Sequence, residues 1–84
     1  MQLGTRWSVW RPPPAGLPES VLAAITSVEA ELTTLAAANP EAGVAEWRWT
    51  LTWLEGRPVV ELDDGTTIRV DALGSVTVTV DSDD

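Results

Sequence analysis

Five side-chain types are missing from this chain: it has no cysteine, histidine, lysine, phenylalanine or tyrosine. Without cysteine there are no disulfides and no thiolate metal sites. Without histidine, lysine or a thiol, the usual general bases and activated nucleophiles are gone, so enzymatic catalysis is not expected. Charge of one sign is also scarce. Five arginines (Arg6, Arg11, Arg48, Arg57 and Arg69) face 13 acids, for a net charge of −8. That balance repels nucleic acid and anionic membranes, so neither is an expected direct partner. The opening residues MQLGTRWSVWRPPP contain no apolar core of a signal peptide. No run is read as long enough to span a bilayer, and the expected compartment is the cytoplasm. Abundant alanine with arginine in place of lysine is what a GC-rich coding bias produces, which suggests a bacterial or phage source.

The 84 residues of the chain amount to a single small domain, 1–84, with the acidic tail 81–84 expected to be solvated. Such a length supports one modest core without staples.

Residues 3–10, LGTRWSVW, alternate as a strand does, with Leu3, Thr5, Trp7 and Val9 on one face. Pro12-Pro13-Pro14 ends it. Pro18 to Ala38 reads as a helix about 30 Å long, with Pro18 at the first helical position and Asn39-Pro40 closing it. Val21, Ile25, Val28, Leu32 and Leu35 form its apolar stripe.

From Trp47 the period becomes two. Glu55-Gly56 predicts a two-residue type I′ turn that sets Leu51 opposite Val60 and Trp49 opposite Leu62. It also sets Arg48 opposite Asp63 as a cross-strand ion pair. Three-residue loops at Asp63-Asp64-Gly65 and Ala72-Leu73-Gly74 keep the later strands in phase, with Val76, Val78 and Val80 inward. The expected fold is α+β: a two-layer sandwich of order β-α-β-β-β, one helix on one face of a mostly antiparallel sheet. The first strand is placed parallel beside the second by a right-handed crossover, in preference to antiparallel beside the fifth.

Trp47, Trp49 and Trp53 share a phase with the core valines and leucines, which favours burial under the helix. Together they offer roughly 450–750 Å², more than the ~300–600 Å² patch an ordinary monomer exposes. Yet a helix is about 10–12 Å across and five strands span roughly 20 Å, so part of the sheet margin should stay uncovered. The back of the helix, Ala23, Ser27, Ala30, Thr34 and Ala37, is small and uncharged, which would let another element approach closely. With Trp10, Trp47 and Trp53 these residues make the expected interaction surface.

Chemical motifs are weak beside these features. Asp63-Asp64 suits turn chemistry better than catalysis. Asp81, Asp83 and Asp84 lack the spacing of a calcium loop. ELDDGTT lacks the lysine and second glycine of a phosphate loop. No cofactor or metal is expected. Trp10-Arg11 and the prolines read as a stiff connector. The function this suggests is a small non-enzymatic protein-interaction module or accessory subunit, partnered by another protein or by copies of itself. The alternative is an acidic inhibitor that mimics nucleic acid, using Asp63, Asp64, Asp71, Asp81, Asp83 and Asp84.

Overall fold

The structure, a computed structural model, describes residues 4–80; Leu3 and the tail Asp81–Asp84 lie outside the described residues. The elements run β1 (Thr5–Ser8), α1 (Glu19–Ala38), two 3-10 turns (Pro40–Ala42 and Val44–Glu46), β2 (Arg48–Leu54), β3 (Arg57–Leu62), β4 (Thr66–Val70) and β5 (Val76–Val80). The fold is α+β: one helix packed against an open five-stranded sheet of order β1-β2-β3-β4-β5, antiparallel throughout.

The three hairpins follow from their turn residues. In the β2–β3 turn Glu55 and Gly56 both have positive φ, 55° and 80°, as a type I′ turn requires. Leu54 therefore pairs with Arg57, Leu51 with Val60 and Trp49 with Leu62. The β3–β4 loop uses Asp64 Oδ1 to accept from the Thr66 N–H at 2.8 Å, with Gly65 at φ 99°. Val60 then meets Ile68. In the β4–β5 loop Asp71 Oδ1 accepts from both the Leu73 and Ser75 N–H groups at 2.9 Å, and Val70 pairs with Val76. All three registers match the sequence expectation, because a slip of one residue would turn an entire strand inside out.

The first strand is placed differently from the sequence expectation. It is neither parallel to β2 nor beside β5; it pairs antiparallel with β2, Trp7 opposite Trp49 and Ser8 opposite Arg48. The chain must therefore leave and re-enter the sheet at the same end. Arg11 N–H bonds to Ser8 C=O at 3.2 Å, closing a turn with Trp10 at φ 66°. Trp10 then lies against Glu29, which is about 15 Å along the helix from its start. Residues 11–18 run back over that distance, the helix passes Trp10 again, and the two 3-10 turns bring Trp47 beside Val9, whose N–H bonds to Trp47 C=O at 3.2 Å. A right-handed crossover needs one long leg; here the extended segment and the helix are two opposed legs. The helix itself starts at Glu19, with Pro18 at its cap rather than at the first helical position.

The core is Val21, Ile25 and Leu32 of α1, Val9, Leu17 and Val44 from the connections, and Trp49, Leu51, Val60, Leu62 and Ile68 of the sheet. Coverage fails toward β5. Across one row of the sheet, Val60 and Ile68 are 0% exposed and their neighbour Val78 is 45% exposed; Val80 reaches 64%. The expectation that the β5 valines turn inward holds for their phase and is corrected for burial: Val76 is half-buried against the core, but Val78 and Val80 are exposed even though α1 reaches β5.

The helix also revises the membrane expectation. An 18-residue window within its 20 residues has a mean hydropathy of 1.4, so the helix is long and apolar enough to cross a membrane by length and composition alone. Helices that pack on a core meet the same test, and in this fold Val21, Ile25 and Leu32 are buried against the sheet.

Because Gly56 occupies a left-handed conformation, Gly56→Ala should lower unfolding free energy by about 1–2 kcal/mol. Glu55→Asn, which suits the same turn, should raise it by about 0.5–1 kcal/mol. Urea denaturation followed by circular dichroism reads both.

Candidate interaction surface

One carboxylate joins the helix to the strands. Oε2 of Glu29 accepts from the Trp49 indole N–H at 2.9 Å and from the Trp10 backbone N–H at 2.8 Å. The Glu29 carbonyl accepts from the Trp10 indole N–H at 3.3 Å and from the Thr33 hydroxyl at 3.0 Å. Trp49 is 0% exposed, so its N–H needs an acceptor inside the molecule. The left-handed Trp10 costs roughly 1–2 kcal/mol; its two bonds to Glu29 offset that strain. Sequence reasoning counted Glu29 among the sparse helix charges and missed this role. The available signal was its place four residues after Ile25 and three before Leu32, on the edge of the apolar stripe. A charge there has to meet a buried donor, and in this chain the large buried donors are indoles.

Trp7 stacks on Trp49, ring centroids 6.3 Å apart and planes inclined by 22°. Its own indole N–H is buried without a partner. Trp47 is half-buried against the core, whereas Trp53, in the same phase as Trp49, is 46% exposed near the turn end of β2, although its cross-strand neighbour Pro58 is buried. The three tryptophans of β2 and its approach thus take three different environments.

Each residue of the expected surface can now be placed. Ala23, Ser27, Ala30, Thr34 and Ala37 are all exposed on the back of α1, where the Thr34 hydroxyl bonds back to Ala30 C=O at 3.5 Å. Trp10 is exposed but pinned by Glu29. Trp53 is exposed on β2, apart from the β5 edge. Leu35, expected in the buried stripe, is 38% exposed and joins neither the core nor the helix back.

The opposite sheet face is polar. Arg6, Arg48, Arg57 and Arg69 occupy it together with Thr50, Thr52, Thr67, Thr77 and Thr79, with Glu61 interspersed. The expected Arg48–Asp63 ion pair is replaced by backbone contacts: the Arg48 N–H donates to Asp63 Oδ2 at 3.0 Å, and the Asp63 N–H to Arg48 C=O at 3.1 Å. The guanidinium beside Asp63 is that of Arg6, at 3.9 Å. A sequence without the place of β1 has no means of bringing Arg6 there. Arg57 and Arg69 line an open dish of about 90 Å³, well under the ~300–1,000 Å³ of ordinary ligand sites. Of the aspartates named for a nucleic-acid mimic, Asp64 and Asp71 each commit an oxygen to a turn, Asp63 commits one to the Arg48 N–H of β2, and Asp81, Asp83 and Asp84 lie outside the described residues. Among the described residues no three acidic side chains gather as metal ligands.

No family model, curated protein or solved structure matches this chain.

Two variants separate the indoles. Glu29→Ala should cost about 1–3 kcal/mol by orphaning the Trp49 N–H, and Glu29→Gln less, since an amide oxygen still accepts. Trp7→Phe removes a donor that has no partner, so stability should hold or rise. Chemical denaturation of each against wild type gives the answer.

Proposed function

We propose that this chain is a small non-enzymatic protein-interaction module, a subunit of a homo-oligomer or larger assembly. We read its architecture as a two-layer sandwich whose second layer is narrower than its first. The observation that carries the reading is the row Leu51–Val60–Ile68–Val78, which passes from sealed to open at β5. Val80 and Leu35 extend the open margin, and Trp53 is exposed separately on β2. Apolar area removed from water contributes roughly 25 cal/mol per Å², so covering this margin favours association. An exposed tryptophan is also a common anchor of such contacts. The exposed back of α1 is a weaker candidate, because alanine, serine and threonine cost little when left in water.

The reading as an acidic mimic has less support. Two of its aspartates serve turns, a third bonds to the β2 backbone, and four arginines interrupt the sheet face they border.

Sedimentation equilibrium tests the proposal. The wild type should weigh more than its 9.0 kDa chain mass at tens of micromolar protein. Because each copy carries −8, raising salt from 0.05 to 0.5 M should tighten association by screening like charge. Binding through an acidic face to a basic partner would weaken instead. A wild type that stays monomeric to about 1 mM overturns the homo-oligomer reading.

A further inference from the structure

We propose that the partner is a second copy of this chain, joined through β5 by antiparallel edge-to-edge pairing centred on Val78. This inference rests on the interaction-module reading and names its surface.

Among the described residues β5 lies at the end of the sheet and pairs only with β4. Its sequence, VTVTV, has no charge, no proline and no bulge, the devices that ordinarily guard a sheet edge. The other edge, β1, is four residues long and carries Arg6.

The hydrogen-bond pattern fixes which groups of β5 are free. The Asp71 N–H bonds to Ser75 C=O at 2.9 Å, so Asp71 and Ser75 are a hydrogen-bonded pair. Antiparallel ladders alternate bonded and non-bonded pairs. Val70–Val76 is therefore non-bonded, Arg69–Thr77 bonded, Ile68–Val78 non-bonded and Thr67–Thr79 bonded. Thr77 and Thr79 spend their backbone groups on β4. Val76, Val78 and Val80 point theirs away from the sheet.

A strand that pairs there must also be extended and uncharged, and a second β5 meets both conditions. Centred on Val78, the antiparallel register sets Val78 against Val78 and Val76 against Val80, with Thr77 against Thr79 on the other face. Every free backbone group of the three valines finds a partner, about six bonds in all. Valine meets valine and threonine meets threonine, both favourable cross-strand pairs, with no like charges opposed.

The helix completes the seam. Local two-fold axes of antiparallel pairs stand perpendicular to the sheet, so both copies of α1 lie on the same face. α1 approaches β4 and β5 most closely. A helix above that strand pair stands about one strand spacing, ~4.8 Å, from the seam. Two copies then meet at about 10 Å, near the 8–10 Å spacing of packed helices. Glu29 faces Trp10 and Trp49 on the β1–β2 side. At 100° per residue, the flank opposite Glu29 holds Ala24, Val28, Glu31 and Leu35. That flank turns toward β5, which gives the exposed Leu35 something to cover it.

Sedimentation equilibrium and amide hydrogen exchange by NMR test the pairing. In the wild type, the Val76, Val78 and Val80 amides should gain protection as protein concentration rises, while Thr77 and Thr79 are protected at every concentration. Val78→Lys should weaken dimerisation by about tenfold or more, since it opposes two like charges at the two-fold axis. Ala30→Arg, on the helix back, should leave it unchanged. Val80→Lys, at a more exposed site, replaces Val78→Lys if circular dichroism shows that variant unfolded. Association that survives both lysine variants, or that Ala30→Arg abolishes, overturns the β5 pairing and leaves the interaction-module reading standing. A wild type monomeric at ~1 mM, with the three valine amides unprotected, overturns the β5 pairing and the homo-oligomer reading together.

Discussion

The Glu29 carboxylate is the constraint on which the rest of this structure depends. It holds the indole of a fully buried Trp49, the turn at Trp10 and the helix at one point. Through Trp10 it fixes where β1 ends; through Trp49 it fixes how far the helix stands from β2. The stacked Trp7–Trp49 pair fills the space so created. A chain with no phenylalanine or tyrosine must use indoles for bulk, and each indole brings a polar N–H into the interior. One N–H is met by Glu29; the Trp7 N–H is not met at all. The composition that supplies the core volume thus also creates the polar groups the helix must satisfy.

Glu29 ties α1 to Trp10 and Trp49, while the helix backbone comes nearest to β4 and β5. One helix seals Val60 and Ile68 but leaves Val78 and Val80 at the sheet edge, and its own Leu35, open to solvent. The interaction reading and the β5 pairing both follow from this asymmetry rather than from any chemical motif.

Much of the sheet was legible in the sequence. Glu55-Gly56, Asp63-Asp64-Gly65 and Ala72-Leu73-Gly74 set loop lengths, and alternation set phase, so three registers could be written from local rules. The place of β1 was not legible, because nothing in residues 3–10 states which edge they join; that depends on a path of opposed legs through residues 11–46. The Arg48–Asp63 expectation failed for the same reason, since the arginine beside Asp63 comes from β1. Trp49 and Trp53 have identical phase yet opposite burial, which period-two reasoning cannot separate because it reports a face and not the reach of the layer above it. The width argument did foresee an uncovered margin, but not that Leu35 and β5 would form it.

The meander of β2 to β5 pairs only neighbours in the chain, whereas β1 must find Arg48 from Ser8, roughly forty residues away. Closing that loop costs entropy before any contact rewards it. The hairpins and helix are therefore expected to organise the transition state, with β1 and the Trp10–Glu29 contact docking after the barrier. A late-forming clasp scarcely alters how fast a chain folds; it governs how long the native state lasts once made.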